Sequence, residues 1–128
     1  MEKALNFALD LKADVIEIIA AFGKRMDHTL GNMLILHNFK GAVPLTMYDD
    51  FGKMQLLLPG ETILKGKKGK TVSLFALEVV TNIMLSGFKY PLEEQKIGPA
   101  FLGVSNEIDS DKASIKFQSG RLLMYEVF

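Results

Sequence analysis

From Glu2 to Phe22 the polar positions Lys3, Asn6, Asp10, Asp14 and Glu17 recur at steps of three and four, leaving Leu5, Ala8, Leu9, Val15, Ile16, Ile19 and Phe22 opposite them. That period predicts one amphipathic helix over about 2–22, because residues three and four apart share a helix face. Gly23 then stands where a left-handed residue would end the helix, and Lys24 and Arg25 suit the negative end of its dipole. The Ile-rich stretch from Asp14 to Phe22 offers an alternative, in which the helix stops near Lys12 and a strand follows.

After Gly31 the period changes. Met33 to Phe39, Pro44 to Tyr48 and Lys53 to Leu58 are short apolar runs separated by Gly41, Pro44, Asp49-Asp50, Gly52 and Pro59-Gly60, which predicts strands joined by turns. The stretch from Tyr48 to Lys53 is a tight-turn candidate. From Thr71 to Phe88 the β-branched residues favour buried strands, whereas the length and the Ser86-Gly87-Phe88 ending would suit a helix; strands are preferred. At the carboxyl end Ile115 and Phe117, then Leu123, Tyr125 and Val127, alternate with polar positions on either side of Ser119-Gly120, which predicts a closing β-hairpin. The expected class is α+β: one domain over 1–128, with an N-terminal amphipathic helix over about 2–22. A mostly antiparallel β body (sandwich or barrel) over about 31–128 ends in that hairpin.

Charge and composition narrow the function classes. Fifteen Lys and Arg balance fifteen Asp and Glu, so no global field draws the chain to nucleic acid or to an anionic membrane. No apolar run reaches the roughly 20 residues of a membrane span. Glu2, Lys3, Asp10 and Asp14 interrupt the place of a signal sequence, and cysteine is absent. The expectation is a cytoplasmic protein, or one held within a particle assembled in the cytoplasm. Seven Met without Trp point to adaptable packing or contact surfaces.

Candidate chemistry is sparse. Lys65-Gly66-Lys67-Lys68-Gly69-Lys70-Thr71 ends like a phosphate-binding loop, but Leu64 stands where such a loop needs its first Gly. What remains is a local positive spot, Lys65, Lys67, Lys68 and Lys70, able to touch phosphate, nucleic acid or an acidic partner. His28 and His37 have no metal-ligand spacing and read as surface or cap residues, so no metal site and no cofactor is expected. Ser73, Ser86, Ser105, Ser114 and Ser119 lack a nucleophile-elbow context. The adjacent carboxylates Asp49-Asp50 and Glu93-Glu94 point to opposite faces of an extended chain and do not converge by themselves. Asp109-Ser110-Asp111, which could weakly hold a cation, reads better as a turn joining two strands and lacks the calcium-loop pattern.

The stretch Asp27-His28-Thr29-Leu30-Gly31-Asn32-Met33-Leu34 resembles the DHTLGN signature of the small α-like assembly subunit of archaeal and eukaryotic RNA polymerases. There the signature lies between a strand and a dimerising helix, so the resemblance implies a non-catalytic assembly role. It covers eight residues, and that family's downstream His-Pro segment and closing long helix have no counterpart here. With no convergent acid, base or nucleophile, the chain reads as a non-enzymatic structural or assembly protein, with protein partners or self-association. A virion or phage particle component is one concrete version. The alternatives are a nucleic-acid-associated domain using the basic loop, and a β-barrel that binds a small molecule.

Overall fold

The computed structural model describes residues 1–99 and 101–128. The elements run α1 (Glu2–Asp10), β1 (Ile16–Ile18), α2 (Met26–Asn38), β2 (Leu45–Tyr48), β3 (Gly52–Leu57), β4 (Gly60–Lys65), β5 (Thr71–Ala76), β6 (Val80–Ser86), β7 (Leu92–Ile97), β8 (Phe101–Glu107), β9 (Lys112–Phe117) and β10 (Leu122–Val127). Six strands form one sheet in the order β1-β2-β3-β10-β5-β8, and four form a second in the order β4-β9-β6-β7. The β1–β2 pair is parallel, while β10 runs antiparallel to both β3 and β5. The fold is mostly β, a two-sheet sandwich, which corrects the α+β expectation.

Burial on both faces explains why β10 is central. Side chains alternate across a strand, and here Leu122 and Met124 join the core between the sheets while Leu123 joins a second core under the helices. On β5, Val72 and Leu74 likewise face the inter-sheet core, and Phe75 packs on the helix side. The six-stranded sheet is thus covered by the four-stranded sheet on one side and by α1 and α2 on the other.

Three predicted elements are corrected. The long helix ends at Asp10, and Lys12 adopts a φ of +56° just beyond it. The alternative with a strand after Lys12 is the one adopted, because the β-branched residues of Ile16–Ile18 pair in parallel with Leu45–Met47. Gly23 is therefore not a helix end, and Lys24 and Arg25 precede the next helix. Met33 to Phe39 is not a strand: Met33 to Asn38 are helical, as their unbranched Met and Leu residues suit, and Leu36 is fully buried.

The closing hairpin is also absent. β9 and β10 lie in different sheets, because the three consecutive apolar residues Leu122, Leu123 and Met124 need cover on both faces. The link between them turns at Gly120, whose φ is +94° and where a Cβ would sit 2.4 Å from the Val79 carbonyl oxygen. Thr71 to Phe88 resolves into β5 and β6, one in each sheet. Asp49 holds the β2–β3 turn by accepting from the N–H groups of Phe51 (2.8 Å) and Gly52 (2.7 Å). Among the described residues no helix is long and apolar enough to cross a membrane.

Candidate functional site

The link from β6 to β7, Gly87 to Pro91, runs against the end of β8 and so ties the edges of the two sheets together. Phe88 bridges Ile108, and the Lys89 N–H donates to the Glu107 carbonyl oxygen at 2.9 Å. Tyr90 is then held from both sides by one side chain. The Asn106 Oδ1 accepts the Tyr90 N–H at 3.0 Å, and the Asn106 Nδ2 donates to the Tyr90 carbonyl oxygen at 2.8 Å. Asn106 is 8% exposed, so these bonds satisfy a polar group that burial would otherwise penalise.

Under this link lies a cavity of about 230 Å³ bounded by Leu74, Leu85, Pro91, Leu92 and Phe101, with Tyr90 and Asn106 at its polar side. At Gly103 a Cβ would come within 3.1 Å of the Phe101 ring, so a side chain there would crowd the cavity wall unless that ring shifted slightly. Apolar walls with a few convergent polar groups are the usual make-up of a small-molecule site. Tyr90 as a residue is 65% exposed, which leaves its ring accessible for stacking on a flat or cationic group.

A second feature lies at the other edge of the six-stranded sheet. The loop after the parallel strand β1 leads into the amino end of α2, where free N–H groups and the helix dipole favour an anion. Lys24, Arg25 and His28 border a cleft of about 290 Å³ there with Gly23 and Asn32. Asn32 ties the loop to the helix through its Nδ2, which donates to the Ala21 carbonyl oxygen. Arg25 pairs with Asp27 (Nε to Oδ1, 3.1 Å), and that guanidinium holds the Asp27 carboxyl below the usual range. Open α/β sheets place ligands at such carboxyl ends of parallel strands.

The lysines of the basic segment are not brought to either place. Lys65 ends β4, and Lys67, Lys68 and Lys70 lie on the link from β4 to β5, which crosses from one sheet to the other and is not a hairpin. Lys67 is turned onto the buried Glu126 carboxylate, with Lys53 3.8 Å from the same group, while Lys65, Lys68 and Lys70 are exposed. His28 is exposed, whereas His37 is buried against Glu78 at 3.6 Å, so it is not a surface residue. Sequence reasoning missed Tyr90, Asn106 and the loop at Lys24–Arg25. The signal for the loop was present, since a Gly with two basic residues sits between an Ile-rich run and a helical one. Nothing in the local pattern around Asn106 marks it, because its partner lies 16 residues away.

Comparison with known proteins bears on both places. The family described as "Thiamin pyrophosphokinase, vitamin B1 binding domain" matches residues 61–122. The thiamine pyrophosphokinase of Bacillus subtilis (strain 168) is 32% identical over an alignment spanning 97% of this chain and 60% of that protein. The crystal structure of the Bacillus subtilis enzyme superposes with a TM-score of 0.88 at 30% identity, over 98% of this chain and 61% of the other. The thiamin pyrophosphokinase of Geobacillus thermodenitrificans gives 0.83 at 28% identity, over 100% and 60%. The chain spans about 60% of the length of these relatives. They are named for an enzyme of vitamin B1 metabolism, which corrects the expectation of a non-enzymatic structural, assembly or virion protein.

Proposed function

We propose that the chain is the thiamine-binding part of a thiamine pyrophosphokinase, which moves a pyrophosphoryl group from a nucleoside triphosphate to the thiamine hydroxyl. One observation carries this: the residues named around the Tyr90–Asn106 cavity, from Leu74 to Asn106, all fall inside the matched stretch 61–122. Thiamine consists of two flat heterocycles, one a fixed cation. A cavity of about 230 Å³ is below the roughly 300–1,000 Å³ of most ligand pockets. It therefore takes one ring and leaves the rest of the molecule at the mouth, beside the Tyr90 ring.

The triphosphate falls to the β1–α2 loop, where Lys24, Arg25 and the helix N–H groups meet its charge. Within one chain the two places are far apart. β1 and β8 are the opposite edges of a six-stranded sheet, and five spacings of roughly 4.8 Å make about 24 Å. In-line transfer needs reacting atoms about 3 Å apart. On this proposal two copies associate, with the loop of one facing the cavity of its partner, so self-association takes on a catalytic meaning. The cysteine-free composition suits a reducing cytoplasm, where the proposal puts the protein.

Isothermal titration of the protein with thiamine tests the binding half. Saturable 1:1 binding that is lost in Tyr90→Ala supports it; no heat with the wild type, or equal binding by Tyr90→Ala, refutes it.

A further inference from the structure

We propose that Ser73, a core serine on β5, is a positioning residue for the cavity: its hydroxyl locks a bulge in β8 that aims Asn106 at Tyr90. The inference rests on the thiamine reading for its meaning in binding, though not for its structural content. Val72 pairs with Asn106 and Leu74 with Gly103, so the single residue Ser73 faces two, Val104 and Ser105. That is a β-bulge, which strands use to re-aim a side chain next to a site.

The bulge places Ser105 at a φ of +58°, a conformation that costs a non-glycine residue free energy and leaves its N–H outside the regular ladder. The Ser73 Oγ accepts that N–H at 3.0 Å. Ser73 is 7% exposed, so its hydroxyl offers this bond where water has little access.

Register explains why this matters two residues away. With the Leu74–Gly103 pair fixed and no bulge, Val72 would face Ser105, and Asn106 would turn to the other side of the sheet. The bulge keeps Asn106 on the inner side, where it accepts from the N–H groups of Tyr90 and Glu107 (both 3.0 Å) and donates to the Tyr90 carbonyl oxygen. Ser73 has no place in the cavity wall. It acts on the cavity through Ser105, Asn106 and Tyr90 in turn.

Amide hydrogen exchange followed by NMR, without ligand, reads the structural content directly. In Ser73→Ala the Tyr90 amide should lose about tenfold protection, with the amides of β4 and β9 unchanged and Ser73→Thr close to wild type. Thiamine affinity, by titration, should fall about five- to tenfold in Ser73→Ala, as expected for one buried hydrogen bond. In an Asn106→Ala background, where thiamine still binds weakly, the same substitution should cost less than about twofold, because its route is gone. Should Ser73→Ala not fold, the pair Ser73→Ala/Ser105→Gly carries the test. Glycine takes a positive φ freely, so this pair should fold and regain most of the Tyr90 protection. Unchanged Tyr90 protection in Ser73→Ala, loss spread evenly over both sheets, or a full thiamine penalty in the Asn106→Ala background would each overturn the proposal. A wild-type protein that ignores thiamine would instead remove the functional reading, with the exchange data still deciding the role of Ser73.

Discussion

Asn106 and Tyr90 grip each other twice, N–H to Oδ1 at 3.0 Å and Nδ2 to carbonyl oxygen at 2.8 Å, across the seam where the two sheets meet. The bonds fix the main chain of Tyr90 and leave its ring free at the mouth of the cavity. Asn106→Ala removes both at once and strands the Tyr90 N–H. Thiamine affinity should fall at least about tenfold, and thermal stability by about 1–3 kcal/mol for the partly buried groups left unpaired. Paired calorimetry and thermal melts check this; an unchanged affinity would separate the clamp from the site.

If each transfer site is shared by two copies, defects in different halves should complement. A variant lacking Lys24 and Arg25 and a variant lacking Tyr90 should each be inactive alone. Mixed after reversible dissociation, half of the dimers are hybrids with one intact site of two, so activity should return to about a quarter of wild type. Transfer assays on the mixture check it. No recovery would mean that loop and cavity serve the reaction within one chain or not at all.

Tyr125 donates to Asp49 at 2.8 Å, and burial first, then that carboxylate, push its phenol up to about 12. Its folded pKa lies above the unfolded value near 10. The stabilisation is therefore complete below pH 10 and is lost as pH rises from 10 through about 12. Tyr125→Phe should be less stable at pH 8, by about 1 kcal/mol for the lost hydrogen bond. It should also lose less stability than wild type between pH 10 and 12. Urea melts across that range read the difference; parallel curves would contradict it.

Two glycines separate strain from crowding. Gly120 combines a positive φ with a carbonyl oxygen 2.4 Å from any Cβ, whereas Gly66 has a φ of +68° with nothing within 4 Å. Gly66→Ala should cost about 1 kcal/mol for backbone strain alone, and Gly120→Ala at least about 3. Differential scanning calorimetry of the two variants checks the order.

Much of the β body was legible. Pro44 to Tyr48, Lys53 to Leu58 and the Asp49 turn between them follow from turn residues flanking short apolar runs. The closing hairpin was misread for a definite reason. Leu123, Tyr125 and Val127 alternate as a hairpin strand would, but the other face of the same strand, Leu122 and Met124, is just as apolar and calls for a second layer. The long initial helix failed because its polar spacing continued into residues whose β-branching decided for a strand. The candidate site was not legible at all. Tyr90, Asn106 and Ser73 are ordinary residues in the sequence and acquire meaning only through contacts 16 and 32 positions away.

Whether the cavity under Tyr90 receives thiamine is read by an NMR titration of the isotope-labelled protein with thiamine. Thiamine in the cavity should give saturable shifts at the amides of Leu74, Leu85, Tyr90, Leu92, Gly103 and Asn106, with the basic segment 65–70 unmoved. Shifts centred on that segment or on the β1–α2 loop, or none at saturating thiamine, would contradict binding in the cavity.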